Sequence, residues 1–456
     1  MAATPYEYAS QNKQRFLDEL IEFLRIPSIS TDPTRREDVQ SASRWLANEM
    51  TRVGLEHVQV MPTNGHPVVY GDWLHAGPDK PTILIYGHYD VQPAVVEDGW
   101  VSPPFEPVVR DNRLYARGSA DDKGQVMGHI KAAETLLKTS GFPVNVKYLI
   151  EGEEEIGSPN LGKFIEENRT LLQADICLIS DTGIRSLSQP SINYSLRGLV
   201  GLEITVRGPQ RDLHSGNGGM LHNPAQAIAE IVAKLHTEDG RVAVPGFYED
   251  VYTMTVEERE ALKLVDVSPD DWRDAMADLP DWGEPGFTRI ERVGARPTLE
   301  INGIYGGYTG EGQKTVIPAF AKAKITCRLV ANQDPHKIFT QIDAYVHAIA
   351  PKTIRVEVED RGGSKAARTP IEHPAVQAAV RAFQKRWSKP VLFIPGGGSI
   401  PVVVDIQETL AIPVVLLGFS LPDAGAHGPN ESFHLEMYEK AVDTIIAYFH
   451  EIATPV

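Results

Sequence analysis

The sequence predicts an α/β fold built on a mostly parallel sheet and interrupted by a smaller α+β domain. Three observations carry that expectation. Four short apolar runs, Thr82–Tyr86, Val144–Ile150, Ala174–Ile179 and Pro413–Phe419, have the character of strands covered on both faces. Helical patterns such as Lys123–Lys138 lie between them, and strands alternating with helices mark a parallel sheet. The middle of the chain reads differently. Leu202, Ile204 and Val206 alternate there with Glu203, Thr205 and Arg207, and Lys322–Leu329 and Ile354–Glu359 repeat the alternation, as a sheet with one wet face requires.

Taken in order, the chain opens on a helix in which Phe16, Leu20, Phe23 and Leu24 recur at helical spacing until Ile26-Pro27 stops it. Ala42, Trp45, Leu46, Met50 and Val53 mark a second helix. In the middle segment, helical stretches at Asn223–Leu235 and Lys337–Ile349 are suited to cover the dry face of a four-stranded sheet, a ferredoxin-like arrangement. This places the inserted domain at residues 197–368, with the first domain formed by residues 1–196 and 369–456. Tyr248–Gly312, rich in Trp, Pro, Asp and Glu, reads as a long insertion within it.

Bulk properties agree with two globular domains. The 456 residues exceed one ordinary core. A hydrophobic content of 42% and a charged content of 23% are those of a soluble protein. The net charge of −17 argues against a nucleic-acid or anionic-membrane partner, whose phosphates it would repel. Cys177 and Cys327 lie far apart without metal-type spacing, no basic-then-apolar leader opens the chain, and no apolar run is long enough for a bilayer. A reducing cytoplasm is therefore the expected setting.

The candidate chemistry clusters after strands. His88 and Asp90 follow the first apolar run, Glu154 and Glu155 the second, Asp181 the third, and His427 lies in the loop after the fourth. Asp121 stands just before the Lys123–Lys138 helix. Ligands of open α/β sheets bind outside the carboxyl ends of the strands, so these residues are candidates to converge there. Each alone has a bland explanation: a surface His-x-Asp pair, a solvated acidic loop, or aspartates favouring a helix dipole. Independent accidents would not all follow strands. Imidazole and carboxylate suit two divalent cations, zinc foremost, with manganese or cobalt as alternatives. A carboxylate can bridge such a pair, Asp90 can fix the His88 tautomer, and one of Glu154 and Glu155 can bind metal while its neighbour faces a water.

Gly87-His-Tyr-Asp-Val-Gln-Pro93, Ala116-Arg-Gly-Ser-Ala-Asp-Asp-Lys-Gly124, Glu151-Gly-Glu-Glu-Glu-Ile-Gly-Ser158 and Gly425-Ala-His427 resemble the motifs of the MH-clan metallopeptidases. That family includes carnosine dipeptidase, aminoacylase, glutamate carboxypeptidase and succinyl-diaminopimelate desuccinylase. The resemblance runs nearly end to end. It implies that Asp121 bridges two metals, that His88 and Asp181 complete one site, and that Glu155 and His427 complete the other. Glu154 is then the general base acting on a water held between the metals, with Asp90 behind His88.

Arg211-Asp-Leu-His-Ser-Gly216, Cys327-Arg-Leu-Val330 and Gly397-Gly-Ser-Ile-Pro401 resemble the cytosolic non-specific dipeptidase and carnosinase branch. By that resemblance the inserted domain is a lid and dimerisation domain, and His214 reaches a partner subunit's site in a homodimer to stabilise the oxyanion. Arg328 holds the free carboxylate of a small peptide, and Thr315, His373, Gly398 and Ser399 match other substrate contacts. One departure stands out. The branch commonly has Arg-Glu before Gly-Gly-Ser-Ile-Pro, where this chain has Pro395-Gly396. The implied reaction is hydrolysis of a dipeptide or short peptide, the alternative being deacylation of N-acyl amino acids.

Overall fold

The computed structural model describes residues 3–265, 280 and 282–454. They form two compact units, one of residues 1–194, 369–394 and 400–456, the other of residues 195–368 and 395–399.

The first unit is built on the expected sheet. Strands Asn145–Glu151, Thr82–His88, Ile176–Ile179 and Val414–Leu416 lie side by side and parallel, and antiparallel strands flank them, Val68–Trp73 with Glu56–Met61 on one side and Ser191–Leu196 on the other. Every residue of Asn145–Glu151 is buried, as the continuous apolar run requires of a strand covered on both faces. The opening helix, Pro5–Leu24, begins at a Thr4–Glu7 capping box and buries Phe16, Leu20, Phe23 and Leu24. Arg36–Val53 follows and ends at Gly54, whose φ of 109° suits only glycine at such a cap. Trp45, half-buried, stacks on Phe23 with ring centroids 4.6 Å apart. Beneath both lies Lys123–Lys138, buried along almost its whole length.

The second unit has four antiparallel strands in the order Thr298–Gly306, Phe320–Leu329, Gly198–Arg207, Arg355–Ser364. Along the chain these alternate with helices Pro224–Ala233 and Pro335–Ile349 as β-α-β-β-α-β, the ferredoxin-like arrangement. Val200, Leu202, Ile204 and Val206 meet Ala323, Ile325 and Cys327 and the helix residues Ile228, Ile231, Ile338 and Ile342 in one core. One correction concerns Tyr248–Gly312, read from the sequence as an insertion. It contributes a strand of the sheet, Thr298–Gly306, together with short helices at Val256–Lys263 and Arg289–Gly294. That strand lies at the sheet's edge, and its register shifts between Ile301 and Gly303, so its sequence lacks a sustained alternation. Residues 266–279 and 281 of the insertion lie outside the described residues.

Candidate metal centre

Parallel pairing sets the strand ends level. His88 pairs with Glu151 and Tyr86 with Ile179, so the turn Glu154–Ile156 and the residue Asp181 emerge beside His88. The His88 ring is fully buried. Its Nδ1 meets the Asp90 main-chain carbonyl at 3.0 Å, which leaves Nε2 facing Asp121 Oδ1 at 3.1 Å and Asp181 Oδ2 at 3.9 Å. The ring's nearer acceptor is thus the main chain of Asp90 rather than the carboxylate expected from the sequence, which stands 3.4 Å away. That carboxylate instead accepts the main-chain N–H groups of Glu154 (3.2 Å) and Glu155 (3.1 Å). One aspartate therefore fixes both the imidazole and the Glu154–Glu155 turn.

Asp121 directs its second oxygen at His427 Nε2, 2.9 Å away, and His427 also lies 3.2 Å from Glu155 Oε2. The result is two donor triads, His88–Asp121–Asp181 and Asp121–Glu155–His427, with the atoms of each within 4.8 Å of one another and Asp121 common to both. Glu154 belongs to neither. Imidazole nitrogen and carboxylate oxygen form a zinc-type donor set that manganese or cobalt can share. A third acidic group, Glu19–Glu49–Glu134, shows the opposite character, because Arg15, Arg52 and Lys131 are ion-paired with it. Among the described residues no lysine or arginine is ion-paired with Asp121, Glu155 or Asp181. The two triads have the geometry and the unmet charge that divalent cations fit.

The electrostatics record that excess. Burial and the neighbouring carboxylates push Asp181 up to about 7 and Glu154 up to about 9, with His88 opposing both. Hydrogen bonds to Asp121 and Glu155 draw His427 up to about 10. Burial works to raise Asp121, but the hydrogen bonds from His427 and His88 outweigh it and hold that carboxyl below its usual range.

The remaining residues singled out in the sequence fall into separate groups. Arg328 donates to Ser399 Oγ at 2.9 Å, and Gly398 accepts from the main-chain N–H of Arg197 at 2.9 Å. His214 lies on a two-stranded ribbon, Leu213–His214 against Val316–Ile317, where its Nε2 is 3.3 Å from Thr315 Oγ1 and its Nδ1 accepts from Gly216 N–H. His373 belongs to the first unit and caps the helix Pro374–Gln384, its Nδ1 accepting from Ala375 N–H at 3.2 Å.

The profile of peptidase family M20/M25/M40 matches residues 84–451. The chain belongs to that family. A Cys-Gly metallodipeptidase of Schizosaccharomyces pombe is 32% identical, the match covering 98% of each chain. The Beta-Ala-His dipeptidase of Homo sapiens is 29% identical over 98% of this chain and 92% of its own. Among solved structures, an M20 family metallo-carboxypeptidase from Sulfolobus solfataricus superposes with a TM-score of 0.84 at 33% identity, covering 96% of this chain and 99% of the other.

Two residues of this M20 peptidase's centre went unrecognised in the sequence. The Gln92 amide donates to Glu155 Oε2 at 2.8 Å. Glu431, wholly buried, accepts the main-chain N–H groups of Gly118, Ala120 and Asp121 and pairs with Arg117 at 2.7 Å, so it shapes the loop that carries Asp121. Gln92 lies inside the Gly87–Pro93 motif, and Glu431 four residues after His427; those positions were the available signals.

Proposed function

We propose that this M20 peptidase cleaves dipeptides or short peptides with a free C-terminal carboxylate, with Glu154 as the general base. The observation that carries the reading is the pair of donor triads sharing Asp121, with the half-buried Glu154 carboxylate beside them in neither triad. His88, Asp121 and Asp181 on one side and Asp121, Glu155 and His427 on the other would hold divalent cations, zinc by preference, which would supply Lewis acidity and lower the pKa of water to about 7. Glu154 takes the proton from the attacking water and passes it to the nitrogen of the departing amine. Asp90 holds the Glu154 main chain in place while this happens. His214 donates to the carbonyl oxygen as it becomes negative, acting from the other subunit of a homodimer. In that role the second unit serves as lid and dimerisation domain. Arg328 takes the peptide's carboxylate, with Ser399, Gly398, Thr315 and His373 as further contacts.

The dipeptidases and the carboxypeptidase among the relatives support this reading over deacylation of N-acyl amino acids. Two free buried cysteines suit a cytoplasmic setting, and no described helix is long and apolar enough to cross a membrane. The test is a panel of dipeptides beside N-acetyl and N-succinyl amino acids, assayed after chelation and after return of zinc, manganese or cobalt. Hydrolysis of dipeptides that disappears on chelation and returns with metal is expected, and cleavage confined to the N-acyl compounds rejects it. Dipeptide amides, lacking the charge that Arg328 takes, should be poor substrates, and Arg328→Ala should narrow that gap by about 10- to 100-fold, the scale of a charged hydrogen bond.

A further inference from the structure

Arg328 has a neighbour of the same charge. Along Phe320–Leu329 the residues alternate, with Cys327 and Ile325 in the core and Arg328 and Thr326 on the opposite face. Arg328 pairs across the sheet with Leu199, and Arg197 stands two residues before Leu199. Both arginines line one cavity of about 930 Å³ in the second unit, within the usual range of ligand pockets, roughly 300–1,000 Å³. Ser399 ties them together, its Oγ accepting from Arg328 Nη1 and donating to the Arg197 carbonyl.

Neither guanidinium is neutralised. Arg197 spends Nε on the Gly397 carbonyl at 2.9 Å, Arg328 spends one nitrogen on Ser399, and among the described residues no carboxylate is ion-paired with either. Glu300, on the adjacent strand, also lines the cavity but makes no ion pair with them. Elsewhere in the same wall an arginine is matched, since Arg296 forks onto both oxygens of Glu284 at 2.7 and 2.9 Å. Burial and the adjacent Arg328 charge push Arg197 down to about 10, with Glu300 opposing. Two partly buried forks with donors to spare, on one wall of one cavity, call for two anionic groups rather than one.

We propose that Arg197 and Arg328 form a dicarboxylate site, making this peptidase selective for short peptides that end in glutamate or aspartate. Arg328 takes the terminal carboxylate and Arg197 the side-chain carboxylate. The link to hydrolysis rests on the function proposed above; the anion site itself does not.

Two measurements keep those apart. The first compares kcat/KM for Ala-Glu, Ala-Gln and Ala-Ala. Ala-Glu should exceed Ala-Gln by about 10- to 100-fold, chiefly through KM, because an amide leaves Arg197 without its charge partner. Arg197→Ala should remove most of that preference, and Arg197→Lys, which keeps the charge, should retain part of it. The second measures binding of glutarate against butyrate by calorimetry, with no turnover involved. Glutarate should bind more tightly, and its advantage should fall in both Arg197→Ala and Arg328→Ala. Dipeptides cleaved without acidic preference, or glutarate binding no better than butyrate, overturns the proposal. Inert dipeptides alongside selective glutarate binding would reject the peptidase reading and uphold the site. The wild-type comparisons decide the matter even if Arg197→Ala fails to fold.

Discussion

The two units hold their charged side chains in contrasting ways. In the first, most candidate metal donors are fastened by their surroundings: His88 by the Asp90 carbonyl, Glu155 by Gln92, and the Asp121 loop by three N–H contacts to Glu431, while the exposed His427 meets Asp121 and Glu155. In the second, Arg328 and Arg197 lie on the sheet face turned from the core, each guanidinium with one hydrogen bond among the described residues. His214 stands exposed on a ribbon of two-residue strands. A site that must hold reacting atoms to a fraction of an ångström needs the first kind of support, whereas recognition of a peptide's charged end tolerates the second. Substitutions in the first unit should therefore strike turnover or metal content, and those in the second should spare the metal.

Glu154→Gln tests that claim hardest. The amide fills the same space but cannot accept the proton, and Glu154 lies in neither triad. The variant should keep about two metals per chain and lose about 10²–10⁴-fold in kcat, the scale of general-base catalysis. Metal analysis beside steady-state kinetics checks both halves, and near-normal turnover would sink the assignment.

His214→Ala comes next, with about 10²–10³-fold lost in kcat and metal content unchanged. An exposed ribbon histidine bonded to Gly216 and Thr315 has a simpler explanation as a local turn, in which case the variant loses stability rather than rate. Mixing decides between them. Glu154→Gln and His214→Ala chains, unfolded and refolded together, form mixed dimers in about half of cases, and activity should recover to about a quarter of wild type if His214 serves the other subunit. Heterodimers demonstrably present but inactive would reject a shared site.

The same contrast explains what could be read in advance. The parallel strands were legible because burial on both faces leaves an uninterrupted apolar run, and their ends then indicated where His88, Glu154, Glu155 and Asp181 would meet. The wet-faced strands Gly198–Arg207 and Phe320–Leu329 were legible from alternation. Thr298–Gly306 was not, because an edge strand with a register shift carries neither pattern. Glu431 and Gln92 were also missed, for a different reason. Their work is to hold other residues, and a loop glutamate or glutamine reads as solvated until its partners are seen. Arg197 was overlooked in the same way, since its neighbour Arg328 comes from a strand more than a hundred positions later.

Gln92 gives the smallest expected effect and the finest test of how the first unit supports its donors. Its amide donates to Glu155 Oε2 at 2.8 Å, the same oxygen that lies 3.2 Å from His427, and at 3.5 Å to the Glu155 carbonyl. Glu155 keeps its main-chain anchor on Asp90 in Gln92→Ala, so the side chain stays in place but is less firmly oriented. Removing that support should weaken metal binding by about tenfold, at the low end for groups that orient a metal ligand. The loss should fall on the Asp121–Glu155–His427 triad alone, because His88 and Asp181 make no contact with Gln92 through hydrogen bonds. A metal titration should therefore show one of two binding steps shifting while the other stays in place. Equal shifts in both steps would mean that the two triads behave as one rigid unit through Asp121, and unchanged binding would mean that burial, not Gln92, orients Glu155.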